Sequence, residues 1–385
     1  MLPHVRIAVD HEFAPPDAGT YFYHSHVDVN EQVDRGLYGA FIVEPSEAVA
    51  MRDGIFALDD WLLDAKGGRL PTSASGPEIA IDNALDVISE DAVEVGSDHG
   101  GHMMDDGGMM MGGMGGGGMM DHAIPDEING RFGNVMTVNG HATGSVQPVL
   151  LSPGERFLAR FLNASNAMTH ELRASDGRPL AIVAVDGVLL DRPFVTDRLV
   201  LPPAKRFDVI IEAGDDGAWA LEGGKGDRAI RIPVEVKGEQ TTAANVPAGT
   251  TTSVPDLGGT RPDATFTVST DRMMNASTWL VNGRAFDMKG ENPTAARFPR
   301  GTWMKMRFIN KSPMAHTMHV HGHFMHVISR NGQSVGVGTS EDTVVVRPME
   351  TVDVAMFADN PGDWVVHCHN LEHEEHGLMA KFKVE

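Results

Sequence analysis

The sequence predicts an all-β protein assembled from tandem β-sandwich or barrel domains, and three observations carry that prediction. Short β-branched and apolar segments recur between clusters of Gly, Pro, Asn and Asp, as at residues 135–139, 156–163, 195–201 and 207–212. Long windows with a helical period are scarce, and closely spaced strand and turn signals disfavour alternating β-α units. At 385 residues the chain exceeds one ordinary domain, and two compositional breaks interrupt the strand pattern.

Taken in order, the first 13 residues show no basic segment followed by an apolar stretch and a small-residue cleavage site, so no signal peptide is visible. No apolar run approaches the roughly 18 residues of a membrane span. Residues 96–122 are almost entirely Gly, Met, Asp and His, which cannot bury a core and predict a flexible loop between a first and a second unit. Residues 238–262 are rich in Thr, Gly, Pro and Ala and predict a linker before a third unit. The segments "NVMTVNG" and "TWLVNG" each set an apolar strand before an Asn-Gly turn. They are followed at similar offsets by "GERFLARFLNAS" and "GTWMKMRFINKS", which suggests one sandwich unit used twice.

A formal charge of -22 argues against nucleic acid or an anionic membrane as partner and favours cations; a solvated, salt-adapted surface is the plainer account of it. Cys368 is the only cysteine, so no intrachain disulfide forms, and its flanking His367 and His369 point instead to a metal ligand or nucleophile.

Three histidine clusters stand out: His24 with His26, then His316, His319 and His321, then His367, His369 and His373. Side chains alternate along a strand, so His367 and His369 face one way and Cys368 the other. The same rule puts His24 with His26, and His319 with His321, while His316 turns away. A thiolate with two imidazoles is the donor set of a blue-copper centre, and Cys368, His373 and His316 supply it. The remaining imidazoles, from His24, His26, His319, His321, His367 and His369, can converge on several copper ions if the first and third units abut. Zinc is the alternative metal, but a structural zinc site takes four ligands, fewer than this set offers.

These motifs resemble those of the three-domain multicopper oxidases, the family of laccases and bacterial cuprous oxidases. "HTMHVHGH" resembles the family's H-x-x-H-x-H, "HCHNLEHEEHGLM" its last ligand motif, and "GTYFYHSHV" with "RGLYGAFIVE" the end of its first domain. The resemblance implies cupredoxin-like Greek-key domains: a partial first domain over 1–66, a connecting segment with the Met/Gly-rich loop over 67–125, a second domain over 126–240, a linker over 241–262 and a third domain over 263–385. It implies copper of types 1, 2 and 3 as cofactor and dioxygen as acceptor, in a periplasmic, cell-surface or secreted protein. By motif position, His316, Cys368 and His373 match type 1 ligands, His319 a type 2 ligand, and His24, His26, His321, His367 and His369 type 3 ligands. The family's electron path would run through Cys368, His367 and His369, and Glu374 matches a proton-relaying carboxylate, with a solvated loop carboxylate as the alternative.

The chain departs from the family pattern in two places. No earlier H-x-H is present, because His4 and His11 are seven apart; this predicts an N-terminally shortened chain in which type 1 copper binds and oxygen reduction is impaired. Where many bacterial relatives have a coordinating Met, this chain has Leu378, with Met379 one step later and so on the opposite face of a strand. That predicts a three-coordinate type 1 site of raised potential, unless a one-residue bulge returns Met379 to it.

Met103, Met104, Met109, Met110, Met111, Met114, Met119 and Met120 crowd the Gly-rich loop, and soft thioethers favour Cu(I); low-complexity drift is the alternative. Met314 matches a family position for substrate copper, with Ser312 where an acidic partner is expected. Three functions follow as expectations: oxidation of Cu(I), oxidation of phenols and aromatic amines, or copper binding and storage with impaired turnover.

Overall fold

Both Asn-Gly steps form tight hairpin turns with the left-handed backbone such turns require, at φ 52° and 76° for Asn139 and Gly140 and 54° and 76° for Asn282 and Gly283. In the computed structural model, which describes residues 12–46, 51–70, 130–250, 252–271, 278–336 and 339–385, each turn takes the same place in one of two sandwiches. The Asn139 side chain accepts from the Ala57 N–H at 2.8 Å and donates to the Ile55 carbonyl at 2.7 Å. Asn282 does the same with Thr267 and Thr265, both at 2.8 Å.

The middle sandwich has a seven-stranded sheet in the order Val188–Thr196, Leu180–Val185, Arg206–Glu212, Arg156–Asn163, Arg52–Trp61, Val135–Val138, His141–Ala142. Its partner sheet runs Leu199–Leu201, His170–Ala174, Gly217–Gly223, Ile230–Val236, Val149–Leu151. The third sandwich repeats both orders. One sheet runs Trp279–Val281, Ala264–Thr270, Thr302–Asn310, Thr351–Ala358, Met325–Arg330, Gln333–Ser334, with Ser340–Glu341 beside Met325–Arg330; the other runs Thr343–Val346, His316–Val320, Gly362–Cys368, Met379–Val384, Thr294–Phe298. Inward-facing residues fill two separate cores, one around Phe56, Phe161, Phe207 and Leu221, the other around Trp279, Phe308, Met318 and Phe382. Each such side chain contributes about 1.5–3 kcal/mol on burial.

The strand Arg52–Trp61, grouped above with residues 1–66, pairs in parallel with Arg156–Asn163 inside the middle sandwich, as Ala264–Thr270 pairs with Thr302–Asn310 in the third. Parallel pairing joins segments far apart in the chain, Arg52 opposite Phe157 and Ala264 opposite Met306, which local periodicity does not reveal.

Ahead of it lie two antiparallel strands, Gly19–His24 and Tyr38–Val43, and the short helix Val29–Val33 between them. Buried Thr20 donates to Asp208 of the middle sandwich at 2.7 Å, and Val29 and Val33 pack on Leu371 of the third. This double docking brings the first histidine pair to the third sandwich. Among the described residues no helix is long and apolar enough to cross a membrane. The Met-rich loop lies outside the described residues, as do His4 and His11.

Candidate metal centre

Strand pairing sorts the donors. His316–Val320 pairs antiparallel with Gly362–Cys368, setting Met318 opposite Cys368 and His319 opposite His367. Opposed residues share a face, so Cys368 and His316 look into the core while His319 and His367 look out. Past the strand, the helix Leu371–Glu375 turns His373 back toward the thiol; its first turn is capped by the Asn370 side chain, which accepts from the His373 N–H at 3.3 Å.

The inner group is a buried triangle. His316 Nδ1 and His373 Nδ1 are 3.0 Å apart, and Cys368 Sγ lies 3.6 Å from the first and 3.5 Å from the second. The Asn370 N–H points at the sulfur from 3.4 Å, and the Trp279 ring packs on both imidazoles. Ser312 Oγ sits 2.8 Å from His316 Nε2, so the residue that lacks the expected acid still fixes the ring. Burial drives the His316 imidazole down to about 3 and the Cys368 thiol up to about 12. Two neutral imidazole nitrogens and a sulfur that face one another without solvent fit a soft cation that displaces the thiol proton.

The outer group gathers the other six histidines. Donor atoms of His26, His321 and His367 lie within 4.8 Å of one another, with His321 Nε2 and His367 Nε2 3.0 Å apart. His24 Nε2 faces His369 Nε2 at 3.2 Å, and the His319 ring centroid is 5.0 Å from that of His321. Burial, then the neighbouring imidazoles, pushes His24 down to about 4 and holds His321 and His369 well below the usual imidazole range. Burial also opposes charge on His367, yet the Glu374 carboxylate outweighs it and raises that imidazole. Several imidazole nitrogens gathered around a shared space are what a cluster of copper ions needs.

Glu374 is fully buried, which excludes a solvated loop carboxylate. Its oxygens lie 3.0 Å from His26 Nδ1 and 3.0 Å from His367 Nδ1; burial would raise its carboxyl, but these two imidazoles hold it well below the usual range.

The register that pairs His367 with Met379 runs without a shift, and the Cys368 N–H donates to the Leu378 carbonyl at 3.1 Å. Leu378 therefore shares the thiol's face and Met379 that of His367. Met314 is half-buried beside the triangle, its carbonyl accepting from Asn310 at 2.6 Å. Sequence reasoning missed Trp279, Asn370 and the Asp342–Thr343 pair behind His319. Asn370 follows the ligand tripeptide directly and could have been read from it; Trp279 and the Asp342–Thr343 pair carry no motif, and only tertiary packing brings them to the site.

Three family models described as multicopper oxidase match residues 7–48, 114–246 and 260–385. The multicopper oxidase MmcO of Mycobacterium tuberculosis is 27% identical over 389 residues, covering 96% of this chain and 70% of the relative. A bilirubin oxidase of Albifimbria verrucaria is 30% identical over 292 residues, 66% of this chain and 48% of its own. The crystal structure of a multicopper oxidase from Pseudomonas thermotolerans superimposes with a TM-score of 0.70 at 22% identity, over 96% of this chain and 77% of that one. With a cysteine-imidazole triangle and a histidine cluster back to back in this fold, the chain belongs to the multicopper oxidases, copper-dependent oxidoreductases whose members bind copper of types 1, 2 and 3.

Proposed function

We propose that this chain takes single electrons from its substrate at a type 1 centre held by His316, Cys368 and His373, and reduces dioxygen to water at a cluster held by the other six histidines. In this reading His319 is the type 2 ligand, His26, His321 and His367 hold one type 3 ion, and His24 with His369 contribute to the second. The observation that carries it is the tripeptide His367-Cys368-His369, whose middle residue belongs to the inner triangle and whose outer residues belong to the outer cluster. The two centres are thus joined by two peptide units. Bound copper supplies the one-electron redox steps and the four-electron reduction of dioxygen.

The protein supplies the rest. Reducing one dioxygen to two waters consumes four protons, and Glu374, in contact with His26 and His367, would relay them, its carboxylate taking up each proton from solvent before passing it on. Leu378, on the thiol's face, would offer a copper ion held there no donor atom, and that would favour a raised potential. Thioethers at Met314 and in the Met-rich loop support Cu(I) as substrate, and the bilirubin oxidase relative supports organic substrates such as phenols and aromatic amines. The three-domain division at 126–240 and 263–385, with the first unit ahead of Arg52–Trp61, and a periplasmic, cell-surface or secreted site of action belong to the same proposal.

A second reading, copper binding with impaired turnover, is favoured by the outer cluster itself: among the described residues only His26, His321 and His367 of that cluster form a group of three donor atoms within 4.8 Å of one another, and His24, His319 and His369 join no such group. Oxygen uptake by the copper-loaded chain decides between them. Uptake coupled to Cu(I) or phenol oxidation, lost in Cys368→Ser, is expected; stable blue copper with no uptake would favour the second reading.

A further inference from the structure

The middle sandwich contributes no histidine to the proposed ligand set, yet one of its side chains reaches the back of that set. Arg206, buried at the start of Arg206–Glu212, donates to the Asp342 carboxylate through two nitrogens, at 2.9 and 2.6 Å. It also donates to three backbone carbonyls from two units: Thr20 at 3.3 Å, Ala204 at 3.0 Å and Asp186 at 3.0 Å. The guanidinium thereby ties the N-terminal strand, the middle sandwich and the third sandwich at one point. Next to it, buried Lys205 donates to Asp186 at 2.8 Å, to the Thr343 carbonyl at 2.7 Å, and to Glu341.

On its other side the latch touches His319. The Thr343 hydroxyl donates to Asp342 Oδ1 at 2.9 Å and lies 3.1 Å from His319 Nδ1, while the Asp342 carbonyl lies 3.0 Å from the same nitrogen. The hydroxyl has one proton and spends it on the carboxylate, so it can only accept from the imidazole. Every partner of Nδ1 is then an acceptor, Nδ1 carries the proton, and Nε2 keeps its lone pair for metal. A bidentate arginine fixes the carboxylate, the carboxylate fixes the hydroxyl, and the hydroxyl fixes the ring.

We propose that Arg206, Asp342 and Thr343 are positioning residues for the type 2 copper ligand His319, so that docking of the middle sandwich sets the geometry and affinity of that ion. This rests on the reading of His319 as a copper ligand. The copper-free full chain is titrated with copper(II) against a competing chelator, following the blue absorption for type 1 copper and the electron paramagnetic resonance spectrum for type 2 copper. Asp342→Asn and Thr343→Val are expected to weaken the type 2 ion by about 10–100-fold and to change its hyperfine splitting, with the blue ion unaffected. Arg206→Lys, which keeps charge but loses the fork, is expected to do the same to a smaller extent.

Thr343→Val leaves the buried ion pair in place and keeps the test open if Asp342→Asn fails to fold. A fall in thermal stability with type 2 affinity and splitting as in the unaltered chain would overturn the proposal. His319→Ala separates the two levels. If it removes the type 2 signal while the latch variants do not change it, the latch idea fails alone. If His319→Ala changes nothing, or the unaltered chain takes up no copper beyond the blue ion, the ligand reading fails and the latch with it.

Discussion

The middle and third sandwiches share one scaffold, and among the described residues only the third carries members of the proposed metal-ligand set. His170 opens a strand of the middle sandwich as His316 does in the third. Asn163 and Asn310 pin the preceding loops through the Met168 and Met314 carbonyls at 2.7 and 2.6 Å. Ser165 Oγ and Ser312 Oγ each lie 2.8 Å from Nε2 of the buried histidine. The register that sets Met318 opposite Cys368, continued from Leu221 opposite Ala174 and Glu222 opposite Arg173, sets Leu172 opposite Gly223. Glu222, Gly223 and Gly224 thus stand where the third sandwich has His367, Cys368 and His369. A Cβ on Gly223 would fall 1.8 Å from the Glu171 carbonyl oxygen, so backbone leaves no room for a side chain there. The fold offers a histidine held by a serine twice; room for one more side chain, and its identity, decides which copy becomes a copper site.

That comparison can be broken or sharpened, starting with the largest effect. Cys368→Ser should abolish the blue absorption and substrate oxidation while copper persists in the histidine cluster; a blue centre surviving would mean the triangle is not the type 1 site. Glu374→Gln should keep the blue colour and slow turnover by about 10²–10⁴-fold, read by oxygen uptake. Gly223→Cys should not create a second blue centre and should cost about 1–3 kcal/mol by denaturant unfolding, since the backbone must move to admit it. A second blue band would show that the ligands alone suffice.

The copper-free protein offers a pH test of the two histidines. Burial holds His170 at about 4 and His316 at about 3, against an ordinary value of 6.5. Both are neutral in the folded chain while the unfolded chain takes up protons below 6.5. Stability should therefore be full above that value and fall as pH drops through it, levelling below about 4 for the first and 3 for the second. His170→Gln should flatten the slope between 6.5 and 4 in urea midpoints; an unchanged slope would mean His170 protonates freely in the fold. Smallest of all, Leu378→Met conserves volume and should cost under about 1.5 kcal/mol, while lowering the type 1 potential in a redox titration if the thioether reaches the ion. An unchanged potential would place Leu378 off the axial direction.

The sequence by itself determined the all-β class, the Asn-Gly turns and the sorting of donors by face, because strand alternation and turn chemistry are local. It showed that Cys368 must part from His367 and His369, and it predicted Leu378 on the thiol's face unless a bulge intervened, which the unshifted register then excluded. Tertiary structure decided what depends on segments far apart in the chain. Parallel pairing moved Arg52–Trp61 into the middle sandwich, and docking of Val29 and Val33 on Leu371 brought His24 and His26 to His369, His321 and His367. Packing buried Glu374 between two imidazoles and set Arg206 behind His319. No local pattern encodes those contacts, because each joins side chains from segments far apart in the chain.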